Sequence, residues 1–142
     1  MLRTCLAIAV AALTATAAAA QPADDKPPSG IGFPSVAATL DALRTKPGAE
    51  MMQQDGWTVV SEPAERTMWS FTPPSHPAHP GVVRRTILET DDGIAVQMSI
   101  LCEATKSACD GLLKDFTDLN TQMREHFARQ KKAMSEAHTP AG

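Results

Sequence analysis

Apolar and polar residues alternate through the middle of the chain. Every second residue from 94 to 102 is apolar, and larger side chains recur at the same interval from 67 to 71. A period of two places such side chains on one face of a β-strand. The sequence of 82–90 predicts a further extended segment. These segments indicate a sheet in the second half of the chain.

Short turn sequences separate the predicted strands. Asp55-Gly56 lies between 49–54 and 57–61, and this dipeptide supplies the positive φ angles of a tight hairpin turn. Asp91-Asp92-Gly93 is a second turn, placed before the strand that ends at Cys102. The pattern therefore predicts an antiparallel β-meander of about four to five strands.

A short and a long helix are predicted on either side of the meander. Ser35 is a candidate N-cap, residues 36–43 follow with apolar positions at helical spacing, and Pro47-Gly48 ends this helix. Residues 107–134 are predicted to form a long amphipathic helix. The order helix, antiparallel meander, helix predicts an α+β domain with both helices on one sheet face.

The C-terminal part of the long helix is expected to extend past the sheet. At 1.5 Å per residue this helix is roughly 40 Å long, which exceeds what a small sheet covers. Phe127 and Met134 are the large apolar residues of the extension. They fit either fraying of the helix end or self-association through the helix.

The N-terminal residues predict export from the cytoplasm. Residues 1–20 combine Arg3, a short apolar run and a small-residue cleavage site, as in a secretory signal peptide. The run is too short and too rich in alanine for a transmembrane anchor. We expect a disordered leader at 21–32, a single α+β domain at 33–136 and a disordered tail at 137–142. The mature protein is expected to be periplasmic or secreted.

The net charge argues against a nucleic-acid-binding protein. The full chain has 13 Lys and Arg against 16 Asp and Glu, a net charge of −3. Removal of 1–20 takes away Arg3 and no acidic residue, which leaves 12 basic and 16 acidic residues and a net charge of −4. Because nucleic-acid binders normally carry a basic surface, we expect the partner to be a protein or an envelope component.

Two cysteines, Cys102 and Cys109, remain after signal removal. Cys102 continues the inward register of the last strand, and Cys109 begins the apolar stripe of the long helix, so both are expected to face the same core. An oxidising compartment then favours a disulfide. A redox-active pair is an alternative, although the C-x-x-C spacing is missing, and two free buried thiols are another.

The segment 69–81 is the candidate site because it places two histidines among four prolines after an aromatic strand. Prolines favour polyproline II geometry, in which residues three apart share an edge. On that geometry Ser75, Ala78 and Gly81 face the sheet, while the histidines and prolines face outward as a recognition surface. The predicted binding residues are Trp69, Phe71, Pro74, His76, Pro77, His79, Pro80 and Arg84.

The two histidines, His76 and His79, are also candidate ligands for copper or zinc, since neutral imidazole is a common metal ligand. Residues three apart in polyproline II are about 9 Å apart along the axis, so the side chains must converge strongly to share one ion. Catalysis has less support, because no nucleophile elbow, HExxH or catalytic-cysteine motif occurs. We expect a non-enzymatic protein without a cofactor.

Several motifs resemble a group of small exported proteobacterial proteins of no established function. These are the segments 32–37 and 56–60, the WSFTP and HPAHP segments of 69–80, and the cysteine pair. The resemblance covers roughly residues 32–127 and implies a periplasmic location. Some members of that group carry the name of J-domain chaperones. A J domain is a helical hairpin with His-Pro-Asp, whereas the His-Pro pairs of this chain are followed by Ala78 and Gly81.

The sequence therefore predicts a periplasmic binding or accessory protein that recognises a partner through 69–81. Copper or zinc binding by His76 and His79 is the first alternative. A chaperone-like role, implied only by the name of the similar group, is the second.

Overall fold

The computed structural model of the protein describes residues 30–137, and these form the predicted α+β fold. The predicted signal peptide, the predicted leader up to 29 and the predicted tail from 138 lie outside the described residues. A short 3₁₀ turn, Pro63–Glu65, connects the second and third strands. The elements in chain order are α1 (Val36–Arg44), β1 (Glu50–Gln54), β2 (Trp57–Glu62), β3 (Thr67–Phe71), β4 (Gly81–Thr90), β5 (Gly93–Cys102) and α2 (Lys106–Ala137).

The five strands form one antiparallel meander in the order β1-β2-β3-β4-β5, as predicted. Asp55 and Gly56 have φ angles of 51° and 83°, which confirms the tight hairpin turn between β1 and β2. β4 and β5 pair from Gly81↔Cys102 to Thr90↔Gly93, whereas β3 pairs with only half of β4. The β4–β5 hairpin therefore projects beyond the other three strands.

The two helices cover opposite faces of the sheet, so the prediction that they share one face is wrong. Trp69 is aligned with Arg84, whereas Met98 is aligned with Arg85. The large side chains of β3 and the apolar series of β5 consequently point to opposite sides. One core lies under α1: Ile31, Val36, Leu43, Val60, Trp69, Phe71, Val82 and Leu101. The other lies under α2: Ala78, Val83, Leu112 and Phe116, with Met98 and Ile100 packed against them.

The folded domain begins before the predicted boundary at 33. Ile31 is 1% exposed and belongs to the core under α1. Ser35 is the N-cap, as predicted, because its Oγ accepts a hydrogen bond from the N–H of Ala38 at 3.1 Å. The carboxylate of Glu103 accepts from the N–H of Val36 at 2.8 Å. The end of the β-sheet therefore helps to cap α1.

A buried carboxylate joins the end of β2 to the segment after α1. Glu62 is 3% exposed, and its Oε2 accepts a hydrogen bond from the indole Nε1 of Trp69. Its Oε1 forms an ion pair with Lys46. Lys46 also pairs with the exposed Glu65 at 2.8 Å. One oxygen of Glu62 thus faces a cation and the other accepts a hydrogen bond, as burial of a carboxylate requires.

This cluster predicts a loss of stability at high pH. Hydrogen bonding to Glu62, and then to Glu65, raises the pKa of Lys46 above its ordinary value of 10.5. A raised folded-state pKa adds stability below about pH 10.5, and that stability is lost as the pH rises through the folded-state pKa. In thermal melts, the advantage of the wild type over Lys46→Met is expected to shrink as the pH rises from about 10.5 to about 12. An advantage that stays constant over this range would contradict the assignment.

α2 is a long helix of which only the first half is buried. Its buried residues are Leu112, Phe116 and Asn120, and every residue from 124 to 137 is exposed. Lys131 donates a hydrogen bond to the carbonyl of Asp91 in the β4–β5 turn. The helix therefore follows the projecting hairpin instead of leaving the sheet altogether. Neither helix within 30–137 has a stretch long and apolar enough for a membrane span.

Candidate functional site

The proline/histidine loop, residues 72–80, connects the end of β3 to the start of β4. It consists of two successive turns: the N–H of His76 donates to the carbonyl of Pro73 at 2.9 Å, and the N–H of His79 donates to the carbonyl of His76 at 3.0 Å. Polyproline II has no internal hydrogen bonds, so the predicted three-edged geometry is wrong. Ala78 and Gly81 are buried as expected from it, whereas Ser75 is exposed.

Hydrogen bonds close the base of the loop. The N–H of Thr72 donates to the carbonyl of Gly81 at 2.9 Å, and the N–H of Gly81 donates to Oγ1 of Thr72 at 2.9 Å. The carbonyl of Pro80, which follows a cis peptide bond, accepts from the N–H of Glu103 at 2.9 Å. A Cβ on Gly81 would lie 2.6 Å from the carbonyl oxygen of Ala78, so the loop folds back on a position that only glycine fits.

The loop is also anchored by Ala78, which is fully buried in the core under α2. The disulfide between Cys102 and Cys109, with Cα atoms 5.8 Å apart, lies next to this anchor. Sγ of Cys102 is 3.7 Å from the carbonyl oxygen of Ala78. The structure contains the predicted disulfide, which joins the end of β5 to the start of α2 beside the loop.

His76 is half-buried and packs against the indole of Trp57, with ring centroids 5.2 Å apart in an edge-to-face arrangement. Its Nδ1 accepts a hydrogen bond from the N–H of Ala78 at 3.0 Å, so this nitrogen carries no proton. In the neutral ring the proton is therefore on Nε2. Trp57 also contacts Phe116 of α2, with centroids 5.8 Å apart. The inner side of the loop is thus fixed by aromatic packing.

His79 is exposed and has the other tautomer. Its Nδ1 lies 3.0 Å from the carbonyl oxygen of Thr72, which can only accept, so Nδ1 carries the proton. The same nitrogen is 3.3 Å from Oγ1 of Thr72. The imidazole therefore braces the first residue of the loop and presents Nε2 to solvent.

The two histidines do not form a matched pair of metal ligands. A ligating imidazole binds through an unprotonated ring nitrogen while its other nitrogen donates to an acceptor. His79 satisfies this arrangement, but the only unprotonated nitrogen of His76 is used by Ala78. Within residues 30–137 there is no group of three or more His, Cys, Asp or Glu side chains that could hold a metal ion. In this arrangement His76 and His79 do not offer two matched nitrogen ligands to one ion.

Calorimetry directly tests whether His76 and His79 bind a metal ion. Titration of the protein with Zn²⁺ or Cu²⁺ is expected to show no binding tighter than about 10 μM, because one imidazole would have to break its bond to the loop. A His76→Ala, His79→Ala double variant is the control and should give the same heats. Tighter binding that this variant abolishes would contradict the assignment.

Three of the predicted binding residues lie on the opposite face, away from the loop surface. Trp69 and Phe71 are 5% and 4% exposed in the core under α1, so they offer no surface to a partner. Arg84 lies over the Trp69 ring at 5.6 Å and donates to the carbonyl of Gly30 at 3.0 Å. These residues support the domain and the segment that leads into α1.

The accessible surface of the site combines residues that the sequence identified with one that it missed. Trp57 was not among the predicted binding residues, although its place directly after the Asp55-Gly56 turn puts it on the strand next to β3. The register Thr58↔Phe71 brings it beside the start of the loop. The exposed residues of the loop are Pro74, Ser75, Pro77 and His79, and the half-buried ones are Pro73, His76 and Pro80.

The comparisons with known proteins give no family for this chain. No protein-family model matches it, and neither a curated protein nor a solved structure matches it significantly.

Proposed function

We propose that the protein is a non-enzymatic periplasmic binding or accessory domain that recognises a protein or envelope component through the proline/histidine loop. The observation that carries this proposal is that hydrogen bonds and packing hold the backbone of the loop while two of its four prolines remain exposed. Two turns, the Thr72–Gly81 bonds and the buried Ala78 hold the backbone. Pro74 and Pro77 lie on the outside.

A loop held in this way suits recognition because little conformational entropy is lost when a partner binds. The rim formed by Trp57 and His76 adds half-buried aromatic surface beside the exposed prolines. Aromatic side chains supply much of the binding energy in protein interfaces. A partner that lies along Pro74 and Pro77 would therefore reach an aromatic contact at the same time.

The geometry favours recognition over the two alternatives. Copper or zinc binding would require His76 to give up its bond from Ala78. The chaperone-like role rests on the name of the similar group, and the His-Pro pairs of this chain lie in turns between two strands. A non-enzymatic role is supported by the sequence, which contains no nucleophile elbow, HExxH or catalytic-cysteine motif.

Site-specific photo-crosslinking tests the proposal. A photoreactive amino acid at Ser75, which is exposed at the tip of the loop, is expected to give discrete adducts in cells that export the full chain. The same amino acid at Thr90, exposed at the far end of the hairpin, is the control and should give none. A Pro74→Gly, Pro77→Gly background should reduce the adducts at position 75. Adducts that are absent at 75, or that this background leaves unchanged, would refute the proposal.

A further inference from the structure

A buried arginine without a counter-ion lies under α2. Arg85 is 9% exposed, and its guanidinium lies 5.1 Å from the centre of the Phe116 ring. One NH2 group donates to Sδ of Met68 at 3.3 Å, while Nε is enclosed without any acceptor. Among the ion pairs of the described residues, none includes Arg85.

Such an arrangement gives the guanidinium a thioether as its side-chain acceptor and leaves the buried Nε donor without any acceptor. Arginine has five N–H donors, and a thioether is a weak acceptor. Burial lowers the pKa of Arg85, but an arginine remains charged in proteins. A buried charge normally has an opposite charge beside it. Nearby, Oδ1 of Asn120 is also buried without a donor, so the interior under α2 has two unsatisfied polar atoms.

An apolar groove of about 360 Å³ is lined in part by Met68, the residue whose Sδ accepts the hydrogen bond from Arg85. Met68, aligned with Arg85 across the β3–β4 pair, is one of its walls, and Ile87, two residues further along β4, is another. Ile94 of β5 and Phe127 of α2 complete the apolar lining. Met68 and Phe127 are 39% and 41% exposed. The groove therefore leads from solvent to the side chain that covers Arg85.

The charges around the groove indicate what charge a ligand of the groove would carry. Its two acidic side chains are already compensated, because Glu62 pairs with Lys46 and Glu89 pairs with Arg66 at 2.8 Å. Arg85 remains as one unpaired cation. One cation balances the single charge of a carboxylate, whereas a phosphate carries more charge, and the guanidinium fork matches a carboxylate with two parallel hydrogen bonds.

From these contacts we infer that the groove binds a linear aliphatic carboxylate, a medium-chain fatty acid. Its carboxylate replaces Sδ of Met68 as the acceptor for Arg85, and its chain lies along Met68, Ile87, Ile94 and Phe127. Methionine is unbranched and flexible, so Met68 can move aside without disturbing the strand. A volume of this size lies within the usual range for small-molecule sites. This site is separate from the proline/histidine loop.

The probe for this site is dodecanoate, used below its micelle concentration in calorimetry with the disulfide-bonded protein. Saturable binding is expected, and affinity should rise by up to about fourfold per methylene from octanoate to dodecanoate. Dodecanol, which has the same chain without the charge, should bind about tenfold or more weakly, because a hydrogen-bonded charge is missing. Arg85→Met should remove the difference between the acid and the alcohol.

Phe127→Ser keeps the test informative if Arg85→Met does not fold, because Phe127 is partly exposed on a formed helix. This variant should weaken dodecanoate binding severalfold. Met134→Ser, on the same helix at 69% exposure and outside the groove, is the matched control and should bind as the wild type does. No saturable binding, or equal affinity for acid and alcohol, would overturn the inference. So would a dimer in light scattering that Phe127→Ser dissociates, since a second copy would then cover the groove.

Discussion

Replacing Glu62 with alanine is expected to lower the free energy of unfolding by about 3 kcal/mol. The change leaves the buried indole N–H of Trp69 without an acceptor, which costs about 1–3 kcal/mol, and it opens a cavity where the side chain is 3% exposed. The lost ion pair adds less, because the side chain of Lys46 is 38% exposed and its ammonium can return to water. Equilibrium urea unfolding measures the loss.

Two matched variants separate the contributions of Glu62. Glu65→Ala removes the other carboxylate that pairs with Lys46, but its side chain is 56% exposed, so a loss below about 1 kcal/mol is expected. Glu62→Gln retains an acceptor for Trp69 and should lose about 1 kcal/mol. Equal losses for Glu62→Ala and Glu65→Ala would show that the buried carboxylate has no special role.

The second large effect is expected from the disulfide. A Cys102→Ser, Cys109→Ser double variant should be less stable than the wild type by about 2–3 kcal/mol, from the loop-closure entropy that the bond removes from the unfolded chain. The effect should concentrate at the loop side of the domain, because Cys102 lies beside Ala78 and is aligned with Gly81 at the base of the loop. Urea unfolding with and without a reductant measures it.

The reductant supplies the control for the disulfide. Reduction should destabilise the wild type by the same amount as the double variant, and the double variant itself should not respond. Mass spectrometry of protein purified without a reductant should find no free thiols. Two free thiols in that protein, or a wild type that reduction leaves unchanged, would contradict a stabilising bond.

Local sequence signals predicted the elements of the fold well. The Ser35 cap, the Asp55-Gly56 turn and the strand at 94–102 each depend on neighbours within a few residues, and each is present in the structure. The cysteine pair was predictable for the same reason, since its bond closes a separation of only 7 residues. These features required no knowledge of how strands pair.

The side of the sheet that each helix covers was not predictable in this way. A shift of one residue in strand register moves every side chain to the other face. The register between β3 and β4 depends on how the nine residues 72–80 fold. This loop is fixed through Ala78, which belongs to the same core as Leu112 and lies against Cys102, both distant in sequence. Alternation alone predicts that the apolar residues of β3 and β5 share a face. The alignment of Trp69 with Arg84 and of Met98 with Arg85 places them on opposite faces.

The sequence predicted where the candidate site lies, but not how its backbone folds or how its histidines are bonded. The prolines indicated a stiff segment, yet the two turns depend on hydrogen bonds between residues three apart that the proline pattern does not specify. The different tautomers of His76 and His79 follow from contacts with Ala78 and Thr72. The role of Trp57 was not predictable because its contact with His76 joins the start of β2 to the loop after β3.

The central claim is that the proline/histidine loop is held in one conformation before any partner binds, and amide hydrogen exchange of the free protein tests it most directly. The amides of His76, Ala78, His79 and Gly81 all donate hydrogen bonds within the loop or at its base. We predict that NMR will show these four amides exchanging at least about tenfold more slowly than in an unstructured peptide. Exchange of all four at unstructured rates would mean that the loop is not formed in the free protein, and the account would be contradicted.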